Sequence, residues 1–254
     1  MKLRKVLRKY IEYVARKMGL IVIPEWRVDS YFLAMRLKKI ISEYQIDCFL
    51  DVGANVGQFY DFLRNQVEYD GLIISFEPDP SNIKKLNERK KTDTRWIIFD
   101  YALGKEKKSL DFHIMKSSVF NSFLEPNNTE TSQFEEQNLV LKTVAVETRR
   151  LDEIISDIKE SHQFKNAFLK LDTQGFDLEV FEGASGCLDQ IRGVQTEISV
   201  MPIYKEMPTF ENSFQMFKSK GFEVSGLYSL SESRFPHAVE FDCIYLPKCE
   251  KSGG

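Results

Sequence analysis

Phe49-Leu50-Asp51-Val52-Gly53-Ala54-Asn55-Val56-Gly57 is followed by Ile73-Ile74-Ser75-Phe76-Glu77-Pro78-Asp79. In each stretch an apolar run ends in an acid, and the first passes into a glycine-rich turn. Short apolar runs bounded by turn residues predict buried strands of a parallel sheet. Glu77 comes 26 residues after Asp51. That arrangement suits a nucleoside ligand, because glycines let backbone approach it closely and the second acid can accept a ribose diol. The turn reads Gly-x-Asn-x-Gly, however, and neither Gly-x-Gly-x-x-Gly nor a P-loop Lys-Ser/Thr is present. A ribose-bearing ligand without phosphate fits these residues better than a dinucleotide, and S-adenosylmethionine is such a ligand.

Outward from this pair the pattern alternates. Strands are predicted over 48–52, 72–77, 95–100, 167–172, 193–198, 222–228 and 239–246, with helices near 57–66, 80–90, 150–162, 177–190 and 210–220. Such βαβ alternation forces a mostly parallel sheet. Residues 109–114 read as an added strand rather than a crossover helix. The polar stretch 116–140 is too long for a plain connection and is expected to be a substrate loop or lid. A further helix over 30–45 places an N-terminal helical cap at 1–46, ahead of a main domain at 47–248.

Composition narrows the classes. The chain has 254 residues and a net charge of −3, which argues against a nucleic-acid partner. Cys48, Cys187, Cys243 and Cys249 show no Cys-x-x-Cys pairing and predict reduced thiols. No apolar run reaches membrane-spanning length and no signal peptide opens the chain, so a cytoplasmic protein is expected. Residues 1–17 carry seven Lys or Arg against Glu12 alone, interleaved with apolar residues at helical spacing. This predicts a basic amphipathic helix over about residues 1–20. Two readings stay open: a cap with its cations in water, or a peripheral contact with an anionic membrane face.

Together the motifs resemble one family, the FkbM-type S-adenosylmethionine-dependent methyltransferases. The resemblance covers about 47–246. It rests on Leu50 to Gln58, Phe76-Glu77-Pro78-Asp79-Pro80, Ala102-Leu103-Gly104, Arg150-Leu151-Asp152, Leu169-Lys170-Leu171-Asp172-Thr173-Gln174-Gly175-Phe176-Asp177, Glu182-Gly183-Ala184 and Glu197. The family usually has glutamate where this chain has Asp177. The resemblance implies the α/β class I methyltransferase fold, a Rossmann-like seven-stranded, mostly parallel sheet with the last strand antiparallel. It also implies O-methylation of a hydroxyl on a sugar, glycan precursor or other natural product.

The residues agree with that chemistry. Asp51, Glu77, Asp172 and Glu197 each fall where a predicted strand ends, the edge at which open α/β sheets bind ligands. The expected cofactor contacts are Asp51, Gly53, Asn55, Gly57, Glu77, Pro78, Asp100, Ala102 and Asp172. A sugar-type hydroxyl needs a base or a metal to give up its proton. Asp172, Glu197 and His237 are the candidate bases. Asp172 and Glu197 are also placed similarly to the divalent-metal carboxylates of some other class I O-methyltransferases, so Mg2+ between them is the metal alternative. Lys170 is expected to point to the opposite face of the sheet from Asp172. Tyr204, Lys205 and the Met201-Pro202 loop are candidates for an acceptor wall. Two rival readings are a nicotinamide-dependent Rossmann oxidoreductase and a methyltransferase-like binding protein without activity.

Overall fold

The computed structural model describes residues 10–11, 13–129, 131–229 and 238–248. Most of the basic N-terminal run, His237 and Cys249 therefore lie outside the described residues. The central sheet is built from β1 (Cys48–Val52), β2 (Leu72–Phe76), β3 (Trp96–Phe99), β7 (Ala167–Leu171), β8 (Ile191–Ser199), β9 (Phe222–Ser229) and β10 (Glu240–Pro247). Its order is β3-β2-β1-β7-β8-β10-β9, and β10 runs antiparallel to both neighbours. This is the class I methyltransferase arrangement, with the last strand of the chain inserted antiparallel. Chain order reverses beside β1, which pairs in parallel with β2 on one side and β7 on the other. A ligand site is expected at such a switch, beyond the strands' carboxyl ends.

Helices cover both faces because the inner strands are apolar on both. Side chains alternate along a strand, so Cys48, Leu50 and Val52 enter one cluster while Phe49 enters the other. The first cluster is closed by α4 (Leu151–His162), α5 (Asp177–Gly183) and α6 (Phe210–Ser219), through Ile155, Phe181 and Phe217. The second is closed by α1 (Val28–Tyr44), α2 (Gln58–Phe62), which continues as a wider turn over Leu63–Val67, and α3 (Pro80–Lys90). The stripe Leu33, Leu37 and Ile40 seats α1 against Phe49, Ile73 and Phe168. Gln45 ends α1 in the left-handed region at φ 53°.

Beside the main sheet stands a second one, ordered β4-β6-β5, made of β4 (Ala102–Leu103), β5 (Ser109–Met115) and β6 (Val140–Arg149). The sequence pattern predicts β5 but not β6, whose outer half is exposed and carries no apolar alternation. The helix expected over 177–190 stops at Gly183, and a 3-10 turn with Cys187 in a non-helical conformation follows. Between β5 and β6 the chain folds back on itself, with Lys116 N–H on Leu139 O and Ser117 N–H on Gln137 O. There Phe120 and Phe134 pack with Ile203 and Tyr204. Cys48, Cys187 and Cys243 are free and buried. Among the described residues, no helix is long and apolar enough to cross a membrane.

Leu37 is fully buried between α1 and the sheet. Its truncation, Leu37→Ala, is expected to lower unfolding stability by about 2–5 kcal/mol in urea titrations. A loss under about 0.5 kcal/mol would show that α1 is not part of the core.

Candidate functional site

A cavity of about 280 Å³ opens at the carboxyl ends of β1, β2, β7 and β8. Asp51, Glu77, Asp172 and Glu197 all line it, one acid from each strand end. Its apolar wall includes Val52, Phe76, Leu103 and Phe112. The β5–β6 connection contributes Ser118, Val119, Asn121 and Phe123. Two side-chain bonds fasten that connection to the strand-end loops: Ser118 Oγ donates to Asn55 Oδ1 at 2.9 Å, and Asn121 Nδ2 donates to Asp79 Oδ2 at 3.1 Å.

The turn after β1 is shaped by backbone crowding. Gly53 has φ +83°, and a Cβ there would sit 1.9 Å from the Asp172 carbonyl oxygen. Only glycine tolerates both constraints. Gly53 and Ala54 N–H groups both donate to Phe76 O, and Asp172 N–H donates to Val52 O, so the loops after β1, β2 and β7 are tied together. Asn55 completes the turn at φ 48° and lines the cavity. Gly57, at φ +92°, caps the start of α2 and lies outside the lining, where a Cβ would press on Arg89 and Trp96.

Glu77 is 4% exposed. Its Oε2 accepts Asn55 N–H at 2.7 Å and its Oε1 accepts Asp79 N–H at 2.9 Å. A carboxylate offers about four acceptor positions, more than these two amides use. Burial pushes its carboxyl up to about 8, against the pull of those two amides. Pro78, which lines the cavity, and Pro80, the first residue of α3, have no N–H; Asp79 caps α3 by accepting Ser81 N–H at 2.8 Å. Asp51 is held from below, accepting from Ser75 Oγ at 2.8 Å, while Trp96 Nε1 donates to Ser75 Oγ at 2.9 Å. Burial lifts the Asp51 carboxyl to about 6, though Ser75 and Lys170 oppose the shift. Ala102 lines the cavity; Asp100 is exposed and stands outside the lining.

Lys170 corrects the sequence expectation. Residues two apart in a strand share a face, and Lys170 Nζ lies 3.1 Å from Asp172 Oδ2. The ammonium is 4% exposed, and Asp172, Glu197, Asp242 and Asp177 surround it. Burial alone favours deprotonation, but those carboxylates outweigh it and hold the proton more tightly than on an ordinary lysine. Gln174 supplies the other bridge. Its Nε2 donates to Asp172 Oδ1 and to Glu197 Oε2, each at 3.1 Å. Its Oε1 lies 2.9 Å from the Tyr204 hydroxyl, which fixes which end of the amide faces the acids. Burial, then the Asp172 charge, raise the Glu197 carboxyl well above the usual carboxylate range.

These contacts bear on the expected Mg2+. The Asp172–Glu197 pair already faces an ammonium and an amide, and among the described residues no group of three His, Cys, Asp or Glu could hold a metal ion. The Lys170 ammonium and the Gln174 amide occupy the Asp172 oxygens that a divalent cation would need, so the pair as arranged does not fit Mg2+. Nor do Tyr204 and Lys205 form a wall of the cavity. Tyr204 is fully buried beneath Gln174, and Lys205 pairs with Glu125 at 2.9 Å. Asp177 accepts Thr173 N–H and Thr196 Oγ1, each at 2.7 Å, and so clamps the turn after β7 onto β8.

The family model described as Methyltransferase FkbM domain matches residues 51–224. Among curated proteins, the 2-O-methyltransferase NoeI of Sinorhizobium fredii (strain NBRC 101917 / NGR234) is 26% identical over 203 residues, covering 77% of each chain. Among solved structures, the methyltransferase FkbM from Methylobacillus flagellatus KT is 17% identical with a TM-score of 0.47. That match covers 79% of this chain and 43% of that one, so this chain spans under half its length. Fibrillarin from Aeropyrum pernix, solved with natively bound S-adenosyl-L-methionine, is 10% identical with a TM-score of 0.45, covering 86% and 76%.

Removing the ammonium would leave Asp172, Glu197, Asp242 and Asp177 without their cation. Lys170→Met is expected to cost about 3–5 kcal/mol at pH 8. Burial raises the folded carboxyls of Glu197, Asp177 and Asp242, so the loss should shrink as pH falls and these groups protonate. Urea titrations at several pH values check this; a pH-independent loss would contradict it.

Proposed function

The chain belongs to the FkbM family of S-adenosylmethionine-dependent methyltransferases, and we propose that it methylates a hydroxyl group of a sugar or sugar-bearing metabolite. The observation that carries this reading is the convergence of four acids on one apolar-walled cavity beside the Gly53 turn. The site's residues suit S-adenosylmethionine. Gly53 leaves room for backbone to approach a ligand, Glu77 has acceptor capacity for a ribose diol, and the acid rim favours a sulfonium. When bound, that cofactor supplies an activated methyl group. The 2-O-methyltransferase named among the relatives supports an oxygen acceptor.

The protein's own work is then alignment and proton removal. Loops tied by the Gly53, Phe76 and Asp172 backbone bonds hold donor and acceptor in line, the main source of rate in such a displacement. Asp172 is held in place by the Lys170 ammonium, 3.1 Å away. Glu197, whose proton affinity is raised by burial and then by the Asp172 charge, is the general base for the alcohol. Gln174 aims both carboxylates at the cavity. The β5–β6 connection, through Ser118 and Asn121, closes the cofactor side and limits water there.

Two outcomes follow. Titration calorimetry with S-adenosylhomocysteine should show binding that strengthens as pH rises toward about 8, because Glu77 must lose its proton to accept the diol. The gain is at most about tenfold per pH unit for one proton, and Glu77→Gln should flatten it. Absence of binding to the wild-type protein would remove the cofactor assignment. Separately, Glu197→Gln is expected to lower methyl transfer to a panel of saccharide acceptors by about 10²–10⁴-fold while leaving S-adenosylhomocysteine affinity within a few-fold. Transfer that survives this change would return the role of base to Asp172.

A further inference from the structure

Apolar exposure is concentrated at one end of the chain. Among the described residues, 11 of the 18 exposed large apolar side chains lie within residues 10–35. Ile21 is 69% exposed, Phe32 68%, Met18 64% and Trp26 63%. On α1, Val28, Phe32 and Met35 recur at helical spacing on the side away from Leu33, Leu37 and Ile40, which are buried. This helix therefore has an apolar stripe on each side, and only one of them is covered by the protein. An exposed apolar stripe of this kind, beside other exposed apolar side chains of the same segment, marks an interaction site.

Charge identifies the occupant. Residues 1–27 hold eight Lys or Arg against Glu12 and Glu25, a net +6, while the whole chain is −3; the remainder therefore carries −9. Apolar and aromatic side chains mixed with cations are the composition of a segment that lies at a lipid interface, with Trp and Tyr at headgroup level. Trp26, beside the Arg27 guanidinium 5.8 Å from its ring, is such a pair. A neutral protein groove would take the apolar stripe but leave the six-charge excess unanswered.

We infer that residues 10–35 form a docking surface for an anionic lipid membrane, the positive charge of the sequence before them adding to the attraction. The apolar side chains enter the headgroup boundary while Lys and Arg meet lipid phosphates and carboxylates. The acidic body is turned away from the surface by the same charge asymmetry. This surface involves none of the cavity residues and stands independently of the methyl-transfer reading.

The test uses the full chain with sedimented vesicles. Phosphatidylcholine vesicles containing about one-third phosphatidylserine should bind it about tenfold or more better than phosphatidylcholine alone, and about 0.5 M salt should abolish the difference. Trp96 is fully buried, so a blue shift of tryptophan emission on binding reports Trp26. The double change Trp26→Ser with Phe32→Ser replaces exposed side chains only, and should remove binding without altering the melting temperature. Failure to bind anionic vesicles would overturn the inference. So would equal binding by the double variant, or a solution dimer that this variant dissociates.

Discussion

One ammonium, on Lys170, allows four acids to meet at the edge of this sheet. Asp172 and Glu197 line the cavity, while Asp177 and Asp242 stand behind them, and Lys170 faces all four from β7. Carboxylates in a poorly hydrated place are strongly disfavoured unless a cation or hydrogen-bond donors are at hand. Lys170 provides the cation. Gln174 provides donors to both cavity acids, and Gln195 provides one to Asp242 at 2.6 Å. With this cation and these donors beneath them, Asp172 and Glu197 still line the cavity.

The fold delivers this arrangement through register. Asp51 pairs with Lys170 across β1 and β7, Lys170 pairs with Gln195 across β7 and β8, and Glu197 pairs with Asp242 across β8 and β10. A one-residue slip in any of these strands would send its polar side chain to the opposite face. The apolar residues Phe49, Phe168 and Ile244 share the Lys170 face closer to the core, and their packing holds the register fixed. On the other side of the site, Glu77 and the Gly53 turn are joined by the Asn55 amide, so the loops after β1 and β2 form one unit. Stability of the core and geometry of the site thus depend on the same strand pairings.

Much of this was legible in the chain. Apolar runs closed by acids located β1, β2, β7 and β8 and their carboxyl ends within a residue or two, because buried parallel strands require continuous apolar sequence. The positive-φ requirement at Gly53 was visible as a glycine-rich turn, although the near-contact with Asp172 that makes glycine necessary comes from a distant strand. For Lys170 the signal lies in its two-residue spacing from Asp172, which puts both on one face. Gln174 gave no local sign of its part, since its partners arrive from β8 and from Tyr204. β6 went unseen because its outer residues are exposed and its pairing with β5 supplies the order that its own pattern lacks. The stretch 116–140 stands out as too long for a plain connection, but composition holds no sign of its bonds to Asn55 and Asp79.

On this account the strand-end acids Asp51, Glu77, Asp172 and Glu197 form the seat of a ribose-bearing, positively charged methyl donor. Carboxyl carbon NMR across the pH range reads it most directly, with Glu77 assigned by its Gln variant. The account predicts that this signal titrates near 8 in the free protein and moves to markedly lower pH when S-adenosylhomocysteine is added. A Glu77 signal that titrates with the surface glutamates and ignores the ligand would contradict it.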